Sequence, residues 1–413
     1  MDIPRGLRSS VRRFAGQRRR VRLTLSSGST TITANDILRV RLPSRSLVDL
    51  GSFGFTASLA TTANNYVAGV HTLIRRLGMT CGGVQVGFQN NHYSQVAHAF
   101  NLASRGLEAD HANCAAGVNP KEYATNGDII EANYFPLSPL DMGMLWTETM
   151  GECEVDIAFH GTEPIITLQN ESPAGTWTLS NIVAYVDVID LETDAYPSAI
   201  RSALSNGASY EKLIKLATAV VQENTATNSI NLSTKCLDKV LFAPKYTNYL
   251  SRDASGAQVD GQVYSNFLDF PTGATAPGAN YGVYVEIGGQ PFPQYGYSAN
   301  YQDLAQLTRG CYGNGPYNFN KLFIETDASG SLVAASNLQF RTDAYVERNA
   351  VCMIPVASFD EEGVEGGLDL SSGNSVIIFN SRGANLLTRK CLLAGIHKST
   401  LSARAGQVVS LAQ

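Results

Sequence analysis

Charge is scarce in this sequence. Asp, Glu, Lys and Arg make up 16% of its 413 residues, against roughly a quarter in an ordinary soluble globular chain, and a surface so poor in charge is expected where much of it is buried against other chains. Tryptophan occurs only at Trp146 and Trp177, too little to line the aromatic cleft that a β-sandwich glycosidase needs. The longest apolar runs fall well short of the about 20 residues of a membrane-spanning helix. Met1 is followed by a polar, arginine-rich segment in place of a signal peptide's apolar core. The seven cysteines (Cys81, Cys114, Cys153, Cys236, Cys311, Cys352, Cys391) are dispersed, odd in number and free of any CxxC pair. Buried free thiols in a soluble protein of a reducing compartment are therefore expected, in place of a disulfide framework or a zinc site.

Catalytic motifs are lacking too. No GxSxG occurs, and neither Gly82-Gly83 nor Gly366-Gly367 is followed by the Lys-Ser/Thr of a phosphate-binding loop. Of the six histidines, His92 and His98 lie six apart on an expected helix and so point away from one another. His111 with Cys114 is a lone HxxC without a second pair at zinc spacing. His71, His160 and His397 stand in no ligand pattern. Carboxylates gather at Glu148, Glu152, Glu154 and Asp156 and again over Asp360–Asp369. Of the first set, Glu152, Glu154 and Asp156 share one strand face and are expected to meet solvent or a neighbouring subunit. The second lacks the alternate-residue acid spacing of a calcium loop. The aromatic run of Tyr284, Phe292, Tyr295 and Tyr297 is expected to pack an interface. No catalytic, metal or cofactor site is expected.

The charge that is present is unevenly placed. Arg5, Arg8, Arg12, Arg13, Arg18, Arg19, Arg20 and Arg22 face only Asp2 over residues 1–22, so this arm carries +7 and leaves −12 on the rest of a chain whose net charge is −5. Guanidinium forks pair with phosphates of nucleic acid or lipid head groups without reading sequence, and do so in a salt-dependent way. Within the arm Leu7, Val11 and Phe14 recur at helical spacing between Pro4 and Gly16, the pattern of a short amphipathic helix.

From Val21 onward the hydrophobic period is two. Val21, Leu23 and Leu25, then Ile37–Leu42, Leu47–Ser58, His71–Val86, Cys153–Phe159, Ile165–Leu168 and Trp177–Leu191 read as strands. Between Tyr196 and Gln222 the period reads as helical (Ile200, Leu204, Leu213, Ile214, Leu216, Ala217, Val220), broken at Asn206-Gly207. Strands resume at Ile230–Leu232, Cys236–Phe242, Val283–Ile287, Leu322–Glu325, Leu338–Phe340, Ala350–Val356, Val376–Phe379 and Lys390–Ile396. Short strands separated by turns indicate sandwiches or barrels and not βαβ units. The expected domains are a basic arm (1–22), a first β domain (23–195), a helical linker (196–225) and a second β domain (226–413). Long loops over Ala103–Asn133 and Asn248–Ala279 are candidate towers or subunit contacts.

One motif occurs twice. Arg76–Val86 followed by Asn91–Gly106 matches Tyr284–Phe292 followed by Ser298–Gly310. In each copy a strand ends in Gly-Gly, which supplies the positive φ of a tight hairpin. A short return strand follows, then a polar cap (Asn90 or Asn91; Ser298 or Asn300) opens about three turns of helix. The offset is nearly constant, so the two halves read as a structural duplication.

With this duplication, Leu42–Leu50, Ile74–Phe100 and Phe135–Met144 resemble the early strand pair, the hairpin with helix, and the Pro-Leu segment of the double jelly-roll major capsid proteins of tailless icosahedral DNA viruses. That lineage includes lipid-containing phages and relatives of the adenovirus hexon. The resemblance runs over most of residues 23–413. It implies an all-β fold with short helices: two tandem eight-stranded jelly-roll β-sandwiches, each with a hairpin-plus-helix insertion. It also implies trimers of six-fold pseudo-symmetry that tile an icosahedral shell, in a virion assembled in host cytoplasm or nucleus. The implied partners are further copies of the chain, penton and minor capsid proteins, and viral membrane or genome contacted by the inward-facing arginine arm. The alternative kept open is a carbohydrate-binding or adhesive β-sandwich, such as a spike or lectin-like module.

Overall fold

The computed structural model of the chain describes residues 16–26, 29–61, 66–67, 73–88, 90–104, 129–160, 167–168, 177–223, 225, 227–245, 282–298, 352–356, 360–361, 364–371, 376–382, 390–404 and 408–412. The strands of the first half are β1 (Gly16–Arg22), β2 (Thr24–Leu25), β3 (Ile32–Thr33), β4 (Ile37–Arg41), β5 (Leu47–Thr61), β6 (Tyr66–Val67), β7 (Ile74–Cys81) and β8 (Val84–Val86). They continue, after helix α1 (Tyr93–Ser104), with β9 (Ile129–Ala132), β10 (Met144–Trp146), β11 (Cys153–Phe159), β12 (Thr167–Leu168) and β13 (Trp177–Leu191), with a one-turn helix α2 (Thr147–Met150) before β11. Helix α3 (Ala195–Ser205) leads into the second half. There β14 (Tyr210–Glu223), β15 (Thr227–Asn231), β16 (Leu237–Lys245), β17 (Gly282–Ile287), β18 (Gln290–Ser298) and β19 (Cys352–Pro355) are followed by β20 (Asp360–Glu361), β21 (Val364–Glu365), β22 (Val376–Arg382), β23 (Lys390–Arg404) and β24 (Val408–Ala412).

Alternation makes the strands and names their inner face. In β4, Leu38 and Val40 are buried between exposed Arg39 and Arg41; in β11, Cys153, Val155 and Ile157 turn inward. Strand β13 changes parity midway. Trp177 and Leu179 point inward, and then Ile182, Ala184, Val186 and Val188 do so. The switch is a bulge against β5 between Ser180 and Val183, where Asn181 takes a left-handed φ of 53°. One extra residue in a strand moves every later side chain to the other face, so the bulge keeps a long apolar strand facing one core.

The two halves have the same topology. One sheet runs β1-β13-β5-β10 in the first half and β14-β23-β16-β19 in the second; the facing sheet runs β4-β11-β7-β8 and β15-β22-β17-β18. Taken in chain order, β1, β4, β5, β7, β8, β10, β11 and β13 correspond one to one with β14, β15, β16, β17, β18, β19, β22 and β23. Each half is thus an eight-stranded jelly roll with a few additional short strands. The repeated Gly-Gly motif occupies the same place in both, the β7–β8 and β17–β18 hairpins, where all four glycines have positive φ (Gly82 53°, Gly83 86°, Gly288 59°, Gly289 79°).

The first core does not stop at the end of the first half. Ile214 and Leu216 of β14, Leu401 and Ala403 of β23 and Val409 of β24 belong to the same buried cluster as Leu38, Phe55, Met79 and Val155. A second cluster, which includes Leu237, Val240, Phe242, Val285, Ile377 and Leu393, fills the second sandwich.

Three expectations are corrected. The arm expected over 1–22 ends sooner, because Gly16–Arg22 is an edge strand in antiparallel register with Tyr185–Leu191. The expected helical linker over 196–225 is a helix only in α3, stopped at Asn206 and Gly207 (φ 84°). Residues Tyr210–Glu223 are the first strand of the second jelly roll, which therefore begins before residue 226, and they pair residue by residue with Lys390–Ala403. The spacing of Leu213, Leu216, Ala217 and Val220 mimics a helical stripe, but a ladder of this length satisfies the backbone of the whole segment and overrides that local pattern. The expected helix around Leu7–Phe14, the second helix over 298–310 apart from Ser298, the strands at 322–325 and 338–340, the loop 248–279 and most of 103–133 lie outside the described residues.

The hairpin glycines differ in what a side chain would meet. A Cβ on Gly82 would lie 2.8 Å from Val409 Cγ2 and 2.9 Å from the Met150 carbonyl oxygen, whereas one on Gly83 meets nothing within 4 Å. Gly83→Ala is expected to cost about 1 kcal/mol, the left-handed backbone penalty alone. Gly82→Ala is expected to cost about 3 kcal/mol or more, since overpacking adds to the same penalty. Denaturant melts of the two variants against the parent check the order; equal losses would refute the packing argument.

Candidate functional surfaces

The candidate surface nominated by the arginine run is only partly a free cationic patch. Arg5, Arg8, Arg12 and Arg13 lie outside the described residues. Arg18, Arg19, Arg20 and Arg22 stand on β1, and the neighbouring strands answer most of them with carboxylates. Arg18 bonds Asp49 and lies 3.8 Å from Asp187, Arg20 Nε donates to Asp187 at 3.0 Å, and Arg19 Nε donates to Asp190 at 2.8 Å. The Arg19 hydrogen bond holds the Asp190 carboxyl below its usual range. Arg20 also stacks 4.6 Å above the centre of the Tyr185 ring. The Tyr185 hydroxyl donates to Glu131, and burial followed by that bond raises its pKa. Tyr185 in turn packs against Gly54, where a Cβ would come within 2.5 Å of its hydroxyl. Arg22 closes the strand opposite Tyr185. These guanidinium groups therefore fasten a solvent-exposed edge strand to the sheet.

The acidic strand face expected at Glu152, Glu154 and Asp156 is an ion-pair ladder. Arg41 reaches Glu152 at 2.7 Å and Arg39 reaches Asp156 at 3.2 Å across the β4–β11 pair. Burial raises the Asp156 pKa and Arg39 opposes the shift. The acidic segment from Asp360 forms the small β20–β21 pair, and Asp369 accepts from the backbone N–H and hydroxyl of Ser371. Among the described residues no group of His, Cys, Asp and Glu is arranged to hold a metal ion. Phe292 packs on the second core, while His71, His111 and Cys114 lie outside the described residues.

Sequence reasoning missed the junction between the sandwiches. Tyr210 sits at the start of β14 and its hydroxyl accepts from the Trp146 backbone N–H at 3.1 Å. Trp146 meets Tyr196 of α3 edge-on at 6.3 Å, and Arg201 of the same helix bonds both oxygens of Glu148, at 3.2 and 3.0 Å. Burial, then Tyr196, raises the Tyr210 pKa. No single-residue signal marks this cluster, because its members come from elements distant in sequence.

Two buried histidines were left without a role by their sequence context. His160 Nε2 and Ser94 Oγ lie 2.9 Å apart, and both are buried where α1 packs on the first core. The dyad ties the helix to the strand end after β11. His397 lies within hydrogen-bonding distance of Thr218 Oγ1 (3.1 Å) and Ser399 Oγ (3.3 Å) between β14 and β23. Its burial pushes the pKa down to about 4.

The two like jelly rolls in tandem define a class of fold, the double jelly roll. No protein-family profile matches the sequence, and no curated protein matches it. Among solved structures, the chain is similar to a quasi-atomic model of the PBCV-1 virus capsid at 11% identity, covering 97% of each chain with a TM-score of 0.61. It is similar to the Sputnik virophage structure at 10% identity, over 97% of this chain and 89% of that one, with a TM-score of 0.55. The Faustovirus major capsid protein follows at 9% identity, over 96% and 91%, with a TM-score of 0.50. At such identities the likeness is one of fold.

His397 gives a pH dependence with a definite sign. Its folded pKa of about 4 lies below the ordinary value of 6.5, so the unfolded chain binds the extra proton first as pH falls. The stability is whole above about pH 6.5 and is lost progressively down to about pH 4, by roughly 3 kcal/mol in all. Denaturant melts between pH 7 and pH 4 should show that slope, and His397→Gln should flatten it. An unchanged slope would refute the assignment.

Proposed function

We propose that this chain is a structural shell subunit, the major capsid protein of an icosahedral virus, without catalytic activity. The observation that carries the reading is the one-to-one correspondence of eight strands in two tandem sandwiches joined through a shared core. A chain built this way presents two like bodies in one fixed relation, so three copies around a three-fold axis present six and can occupy a hexagonal lattice site. The resemblance to capsid proteins over nearly the whole chain supports the same reading.

The role proposed for the arm is to face inward and bind phosphates of a viral membrane or packaged genome through Arg5, Arg8, Arg12 and Arg13. The ion pairs of Arg18, Arg19 and Arg20 assign those three to anchoring the strand from which the arm departs. Penton and minor capsid proteins would be its neighbours in the shell and the virion its location.

Light scattering on the size-exclusion peak of the purified protein should give three times the chain mass; a strictly monomeric protein at high concentration would overturn the proposal. Deleting residues 2–14, which leaves β1 intact, should preserve that trimer and its melting temperature while abolishing filled particles. Normal filled particles from the deletion would remove the arm from the account. Deleting residues 2–20 should in addition lower the melting temperature, because it takes most of β1 away.

A further inference from the structure

Cys81 ends β7 and Cys153 begins β11, and they are direct partners across the antiparallel pair. The bonding around them fixes the kind of pair. The Cys153 carbonyl accepts from Leu42 N–H at 3.0 Å on the β4 side, and toward β7 the next bond runs from Gly82 N–H to the Glu152 carbonyl at 3.0 Å. Cys81 and Cys153 therefore form a non-hydrogen-bonded cross-strand pair. Such pairs bring Cα atoms to about 4.5 Å and side chains closest together, inside the about 4.4–6.8 Å over which a disulfide closes. Both side chains turn into the first core, both are buried, and neither is in a disulfide. The Gly82-Gly83 turn that follows Cys81 is exposed, which leaves only a short path from water to the sulfur. Gly82 in turn lies against Val409 of β24 and the Met150 carbonyl, so the pair stands where the first hairpin meets the second sandwich.

We propose that Cys81 and Cys153 are an oxidation site that closes to an intrachain disulfide under a small peroxide. The chemistry balances without any group from the protein beyond the two thiols. Hydrogen peroxide oxidises one thiol to a sulfenic acid and leaves as water; the second sulfur then attacks the sulfenic sulfur, the S–S bond forms, and the S–OH oxygen departs as water with the second thiol's proton. The hydrogen bond that the neutral Cys81 thiol makes to Cys153, together with burial, holds the Cys81 thiol well above its ordinary pKa. The resting form is the dithiol, and closure is slower than for an exposed cysteine. The bond would link β7 to β11 at the seam of the two sandwiches and restrict the unfolded chain across the long segment between them. This inference does not depend on the shell reading.

The test uses the full chain, native, with and without hydrogen peroxide at pH 8, followed by alkylation under denaturing conditions and peptide mass mapping. A peptide pair joined through Cys81 and Cys153 is expected in most chains, together with a rise in melting temperature of about 5 °C that dithiothreitol reverses. Both effects should vanish in Cys81→Ala and in Cys153→Ala. Mapping of the unmutated protein decides the matter even if either variant fails to fold. Recovery of both residues as alkylatable thiols after peroxide, as separate sulfinic or sulfonic acids, or linked to other cysteines would overturn the proposal.

Discussion

Each sandwich depends on one long strand that is paired along both edges. In the first half β13 carries β1 on one side and β5 on the other, and in the second β23 carries β14 and β16. A strand hydrogen-bonded on both sides has its backbone fully satisfied, and so it can be apolar over its whole length without inviting a stray partner. The requirement that follows is continuity of the inner face. Asn181 meets it in β13 by absorbing one residue, and β5 makes its own adjustment between Asp49 and Gly54, where the Ser52 hydroxyl accepts the Asp187 backbone N–H at 2.7 Å.

The same strand β23 couples the two halves. Its Leu393 and Cys391 lie in the second core, whereas Leu401 and Ala403 lie in the first. Burying one large aliphatic side chain contributes roughly 1.5–3 kcal/mol, so Ile214, Leu216, Leu401 and Val409 make separation of the sandwiches costly. Tyr210, Trp146, Tyr196 and the Glu148–Arg201 pair cover that contact with directional bonds.

Charge is used on the surface to hold strands together. The ladders of β4 with β11 and of β1 with its neighbours pair Arg39, Arg41, Arg18, Arg19 and Arg20 with carboxylates, so they fix strands while adding little net field. Exposed pairs of this kind are worth about 0–1 kcal/mol each, and their value here is register and not bulk stability.

Much of the architecture was legible in the order of the residues. Period-two alternation located Leu38 and Val40, Val155 and Ile157, and Trp177 through Val188 because half-buried strands require it, and the repeated Gly-Gly hairpin revealed the duplication because only glycine takes those φ values freely. Local pattern failed at Gly16–Arg22 and at Tyr210–Glu223. An arginine-rich segment resembles a tail until Asp49, Asp187 and Asp190 arrive from far along the chain, and a stripe at helical spacing resembles a helix until β23 supplies a ladder. The sequence alone thus determined the strands, the turns and the repeat, which are set by neighbours a few residues away. Only the tertiary structure decided the shared core, the clasp around Tyr210, the anchoring of the basic strand and the meeting of Cys81 with Cys153, because each needs two segments whose encounter no local period encodes.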